Sequence, residues 1–164
     1  LEKNRVCSIG ILGGEPTLHP RLVPMLRELN RAGVAAALFT NGLFPQKLIE
    51  PFVETVSNFV VNYNDPSMYT DRQWSHLQDT LGALHAAGAS VSFSKNFSKR
   101  WLRFDYILEA CAKFGISHIR YDISRPNPVE ANNYFNLEES HELVGVILEF
   151  VRKCESRGID TGMD

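Results

Sequence analysis

Four amphipathic stripes of helical period in this chain each run into a glycine, and a stretch of strand-forming residues opens directly after it. The stripes are Leu22, Met25, Leu26 and Leu29 before Gly33; Trp74, Leu77, Leu81 and Leu84 before Gly88; Ile107, Cys111 and Phe114 before Gly115; and Leu143, Ile147, Phe150 and Cys154 before Gly158. A fifth stripe, Leu48, Phe52 and Val56, lacks the glycine. Apolar side chains at that spacing lie on one helix face, and glycine is the residue favoured where a helix ends in a left-handed turn. The strand-type runs are 34–40, 89–94 and 116–123, joined by 5–12 and 58–63 from the same reading. After Gly158 a further run begins and then stops. Five strands alternating with five helices predict a parallel sheet with helical crossovers.

Two architectures satisfy that order, an open doubly wound sheet and a complete or partial α/β barrel. Central strands of a doubly wound sheet are covered on both faces and read as nearly continuous apolar runs. Here Phe59, Val61 and Tyr63 alternate with Asn58, Val60, Asn62 and Asn64. Ala89, Val91 and Phe93 alternate with Ser90, Ser92 and Ser94, and Ile119, Tyr121 and Ile123 with His118, Arg120 and Asp122. One apolar and one polar face favour the wall of a barrel or half-barrel whose lumen opens on a ligand at the C-terminal strand ends.

The sequence GGEPTLHP at 13–20 follows the first strand run and precedes the first helix, which places it at that ligand-facing edge. Two glycines without Cβ let backbone groups approach a ligand closely, and Pro16 stiffens the exit. Glu15 adds a charge able to meet a cation, although a tight strand-to-helix turn with a proline cap would also use these residues.

GGEPTLHP, followed after Gly33 by a strand ending in FTNG at 39–42, resembles the second and third strands of the radical S-adenosylmethionine superfamily. The resemblance runs over nearly the whole chain, as strands two to six with their helices, and treats 1–164 as one core fragment. It implies an α/β partial (β/α)6, TIM-like barrel of parallel strands lacking its first strand. It also implies binding of S-adenosylmethionine at a 4Fe–4S cluster and reductive cleavage to a 5′-deoxyadenosyl radical that abstracts hydrogen from an unknown substrate. An electron donor such as flavodoxin or ferredoxin belongs to that picture. Carried onto matching positions, Gly13, Gly14, Glu15 and Pro16 would line the methionine end of the cofactor, with Thr40 and Asn41 beside it. The stretch VVNYNDP at 60–66 is similar to the family's fourth strand and sets Asn62 against the ligand's carboxylate or ribose. Ser92 or Ser94 and Arg120 would line the same lumen, or serve as ordinary satisfied lumen polars. One departure is plain: the family's cluster motif, C-x3-C-x2-C, is absent. Its cysteine loop is expected upstream of Leu1, so that this chain alone would be inactive. The alternatives are a cluster-free binding or scaffold domain of the same fold, and an unrelated barrel enzyme using Arg120, Asp122 and His118.

Charge and cysteine usage narrow the partners. A formal net charge of −2 speaks against a dedicated nucleic-acid binder, and no run of eighteen apolar residues exists to span a membrane. Cys7, Cys111 and Cys154 are widely separated, which fits buried free thiols in a reducing, cytoplasmic setting. Histidines 19, 76, 85, 118 and 141 have no metal-ligand spacing, and His19 before Pro20 reads as local structure. Lys95, Lys99, Arg100 and Arg103 read as a basic loop that is either solvated or set over the mouth, and 124–136 as a surface connection or lid.

Overall fold

The structure, a computed structural model, describes residues 6–124 and 137–163. Its elements in chain order are β1 (Ser8–Ile11), α1 (Leu22–Arg31), β2 (Ala35–Thr40), α2 (Ile49–Val53), β3 (Asn58–Asn62), α3 (Asp71–Ala86), β4 (Val91–Phe97), α4 (Asp105–Phe114), β5 (His118–Ile123), α5 (Leu137–Glu155) and β6 (Asp160–Met163). The strands follow the sheet order β1-β2-β3-β4-β5-β6. The pairings β1 with β2, β2 with β3, β4 with β5 and β5 with β6 are parallel.

The glycine joints form as the sequence predicts. Gly33, Gly88, Gly115 and Gly158 have φ of 71°, 67°, 64° and 67°. After each, the next residue's N–H reaches back into the final helical turn: Val34 to Leu29 O, Ala89 to Leu84 O, Ile116 to Cys111 O and Ile159 to Cys154 O, all at 2.9–3.0 Å. Each helix end thus satisfies carbonyls that have no partner inside the helix and turns the chain straight into the next strand.

The chain divides into two compact units, Leu1–Asn62 with Tyr69–Ser92, and Tyr63–Met68 with Phe93–Asp164. In the first, Leu26, Leu38, Phe52, Phe59, Val61, Leu77 and Leu84 are fully buried, with the Phe44 and Phe52 rings edge to face at 5.2 Å. Its longest helix, α3, starts on a reciprocal cap: Thr70 Oγ1 accepts the Gln73 N–H, and Gln73 Oε1 accepts the Thr70 N–H. Thr70→Ala is expected to lower stability by about 1 kcal/mol in urea unfolding, the usual cost of losing such a cap. In the second unit Phe150 of α5 gathers the rings of Phe97, Phe104 and Tyr121 at 5.3, 5.4 and 5.7 Å.

Four expectations are corrected. A sixth strand, β6, forms after Gly158 and pairs with β5, His118 opposite Asp160. The fourth strand runs on to Phe97 instead of ending at 94. Alternation therefore puts Lys95 on the face of Phe93 and Phe97, where it is 1% exposed rather than part of a solvated loop. Cys7 is exposed, not buried, because it precedes β1 at the end of the sheet order. Val60 is buried together with Phe59 and Val61, so β3 is covered on both faces instead of presenting a clean wet one. Of the segment 124–136, read above as a lid or connection, residues 125–136 lie outside the described residues. Among the described residues no helix is long and apolar enough to cross a membrane.

Candidate functional site

The loop after β1 enters a single 3-10 turn, Pro16–Leu18, with Glu15 as its N-cap. A Cβ built on Gly13 or Gly14 would meet no atom within 4 Å, and neither residue has a left-handed φ. Nothing in the chain's own packing or backbone conformation therefore demands glycine there. The open space over two exposed, side-chain-free residues at the end of a parallel strand suits a ligand held by backbone groups.

Glu15 lashes this loop to the end of β2. Its Oε1 accepts the Thr17 hydroxyl at 2.7 Å, the Thr17 N–H at 3.2 Å and the Thr40 hydroxyl at 2.9 Å, while Oε2 accepts the Asn41 N–H at 2.7 Å. Thr40 Oγ1 accepts the Gly42 N–H at 3.1 Å, and Asn41 Oδ1 accepts the Leu43 N–H at 2.8 Å. Three consecutive backbone N–H groups beyond β2 are thus each held by a different side chain. Thr17 and Thr40 are buried, as a hydroxyl bound to a carboxylate in a compact turn tolerates. Of the residues expected at the site, Gly13, Gly14, Glu15, Pro16, Thr40 and Asn41 are brought together. Thr17, which carries two of the four bonds to Glu15, is an addition; its signal was the threonine two residues after an N-capping carboxylate.

The remaining candidates are placed differently. Asn62, the last residue of β3, is exposed, and its carbonyl accepts the Tyr69 hydroxyl at 3.3 Å. Ser92 is the second residue of β4, 3% exposed, and its hydroxyl belongs to a cross-strand ladder: it accepts from Asn58 Nδ2 at 3.0 Å, and Asn58 Oδ1 accepts the Ser90 hydroxyl at 3.0 Å. In the second unit Ser94 is half-buried, with its carbonyl accepting the Tyr63 N–H at 3.0 Å, and Arg120 is half-buried in β5 opposite Ser94. His19 Nδ1 accepts the Arg21 N–H at 3.3 Å, the local role expected of it.

The second unit also holds two buried charged side chains, Asp65 and Lys95, that the sequence did not signal. Asp65, 6% exposed, accepts the Ser67 N–H and hydroxyl through Oδ1 at 3.0 and 2.7 Å. Lys95 Nζ donates to the carbonyls of Asn96 and Trp101 at 3.2 and 3.0 Å and lies 4.8 Å from the Phe97 ring centre. Burial pushes the Lys95 ammonium down to about 8, against the opposing pull of Asp65. Asp65 stays below its ordinary range: its burial works upward, and the Ser67 bonds with the charges of Arg103 and Lys95 outweigh it.

No group of three or more His, Cys, Asp or Glu side chains among the described residues could hold a metal ion. Burial lifts the thiols of Cys111 and Cys154 to about 12 and about 11, away from the thiolate form that binds metals. The described residues thus fit a ligand held by backbone groups at Gly13 and Gly14 and do not fit an iron–sulfur cluster.

No family model matches the sequence, and no curated protein is found similar to it. Solved structures do match in fold. Streptococcus suis SuiB bound to S-adenosylmethionine superposes with a TM-score of 0.75 at 14% identity, over 96% of this chain and 39% of that one. The protein anSMEcpe with bound S-adenosylmethionine and Kp18Cys peptide gives 0.74 at 13% identity, over 99% of this chain and 51% of that one. A domain of the pyruvate-formate lyase-activating enzyme of Bacteroides vulgatus gives 0.63 at 11% identity, over 95% and 98%. The chain thus spans about two-fifths of SuiB and half of anSMEcpe. Its six parallel strands with their helices share the α/β fold of these structures, a partial, TIM-like barrel.

Proposed function

We propose that this chain is the core of a radical S-adenosylmethionine enzyme and holds the methionine end of S-adenosylmethionine on the backbone of Gly13, Gly14, Glu15 and Pro16, beside Thr40 and Asn41. The observation that carries the reading is the pair Gly13–Gly14, where the protein's own conformation and packing have no use for glycine. Its place at the end of β1, in a fold shared with structures that hold S-adenosylmethionine, supports it.

The chemistry S-adenosylmethionine supplies in this superfamily is reductive cleavage, which gives methionine and an organic radical that takes hydrogen from a substrate. The residues here bind and orient. Backbone N–H and C=O groups of the glycine loop offer donors and acceptors to an amine and a carboxylate, and the exposed Asn62 carboxamide offers both. Reduction is the task of a 4Fe–4S cluster and of a donor such as flavodoxin or ferredoxin. Because the described residues offer no cluster ligands, no step through the cluster is assigned to them. A peptide is the first substrate class to try, since the similar anSMEcpe structure holds one.

Equilibrium dialysis with labelled S-adenosylmethionine tests the reading. Gly14→Leu is expected to weaken binding at least about tenfold, some 1.4 kcal/mol, while leaving the thermal unfolding midpoint of the protein nearly unchanged, because a Cβ at this exposed position meets no protein atom within 4 Å. Equal affinity in both proteins would remove the site assignment.

A further inference from the structure

Glu15 is the one charged side chain of the glycine loop and the natural candidate to meet the ligand's ammonium group. Its hydrogen bonds argue for a different role. An ionised carboxylate has room for about four acceptor contacts, two on each oxygen; Oε1 takes three donors and Oε2 one, which leaves one acceptor site on Oε2. All four donors are protein groups. Two of them, on Thr40 and Asn41, lie 25 and 26 residues further along the chain, at the end of another strand.

A carboxylate can only accept, so the directions of the bonds follow. The Thr40 hydroxyl must donate to Glu15, which leaves its lone pairs for the Gly42 N–H. The Asn41 N–H is held by Oε2, and the Asn41 carboxamide oxygen then closes the turn onto the Leu43 N–H. The chain of bonds runs one way, from the backbone beyond β2, through Thr40 and Asn41, into Glu15. A single side chain therefore bridges the glycine loop and the β2 exit, beyond the last β1–β2 pair Ile11 and Leu38. Without Glu15, two backbone N–H groups and two hydroxyls would lose their acceptor together.

We propose that Glu15 is a positioning residue: it acts on S-adenosylmethionine through the placement of the glycine loop and the β2 exit, not by contact with the ligand's charge. The inference rests on the reading that S-adenosylmethionine binds at Gly13–Pro16. It makes Thr40, whose hydroxyl is fully engaged within the protein, a determinant of affinity at a loop on a different strand. Glu15 and Thr40 then act as one element, and their effects on binding are shared rather than summed.

The test is a double-mutant cycle of Glu15→Gln and Thr40→Val, with Thr40→Ser as the conservative control, read by S-adenosylmethionine affinity and by hydrogen exchange at the Asn41 and Gly42 amides. Each single variant is expected to weaken affinity roughly tenfold. The double variant should be no weaker than the poorer single, and Thr40→Ser should restore the affinity that Thr40→Val loses. The amides should exchange faster in Glu15→Gln even without ligand. Loss of binding in Glu15→Gln with full affinity in Thr40→Val would mean direct contact and overturn the proposal. Unchanged affinity in both, with Gly14→Leu still impaired, would overturn it while leaving the binding site in place. Unchanged affinity in all three, Gly14→Leu included, would remove the binding site itself and the proposal with it.

Discussion

Gly42→Ala is expected to cost about 2–5 kcal/mol of folding stability, the sum of a left-handed backbone forced on alanine and overpacking of a filled core. Gly42 has a φ of 74°, and a Cβ there would stand 2.5 Å from Leu77 Cδ1 and 3.3 Å from Val61 Cγ1. Both neighbours are fully buried, so any shift must be absorbed inside the core. The glycine of the TNG sequence is thus demanded by the protein itself, in contrast to Gly13 and Gly14, which meet nothing. Urea unfolding of the single variant and of Gly42→Ala with Leu77→Ala checks the cause. In the Leu77→Ala background the methyl group should cost clearly less, because the closest clash is gone and only the backbone strain and the Val61 contact remain. A loss under about 0.5 kcal/mol in the single variant would show that Leu77 repacks freely and that the steric account is wrong.

The second large effect belongs to Lys95. The residue is 1% exposed, its ammonium gives hydrogen bonds to two backbone carbonyls, and burial lowers its pKa from 10.5 to about 8. Between those values the unfolded chain carries the proton and the folded one releases it, so the unfolded state binds more protons and folding stability rises with pH. The cost of burying the charge is present in full below pH 8 and gone above 10.5, a swing of about 3 kcal/mol. Cys111 and Cys154 work in the opposite direction, because they keep their protons longer when folded than when unfolded. The clean quantity is therefore the difference between wild type and Lys95→Met across pH 7.5 to 10.5. Wild type should gain on the variant by about 3 kcal/mol over that range, whatever the offset from the two lost hydrogen bonds. A flat difference would mean that Lys95 titrates as a solvated side chain.

The helix-to-strand joints were legible because each is written in consecutive residues: an apolar stripe, a glycine, a strand-forming run. Three of the six strands, β2, β4 and β5, follow from that local grammar, and β1 and β3 from their own strand-forming runs. The sixth is only Asp160–Met163, too short for its alternation to register. Lys95 was misplaced because β4 was ended at Ser94; the alternation Phe93, Lys95, Phe97 was present but was broken by a charge. The glycine loop was recognisable from GGEP and its spacing to TNG. What Glu15 does was not, because its partners at Thr40 and Asn41 become neighbours only once β1 and β2 are paired, Ile11 beside Leu38. Ser92 shows the limit of reading a polar residue by its face: its position along the strand decides its partner, and near the start of β4 that partner is Asn58.

The four glycine joints all lie where strands begin, two in each unit, whereas the glycine loop and the TNG turn lie where strands end. In the first unit Gly33 and Gly88 hold the chain in shape at strand starts, whereas at the strand ends Gly42 is constrained and Gly13 and Gly14 are not. A library that varies the exposed residues Leu12 to Gly14 after β1 should keep producing soluble protein while its binding preferences drift. One that varies Gly33, Gly88, Gly115 or Gly158 should lose protein before it changes what is bound. Gly13 and Gly14 can therefore change while every glycine with a left-handed backbone is kept.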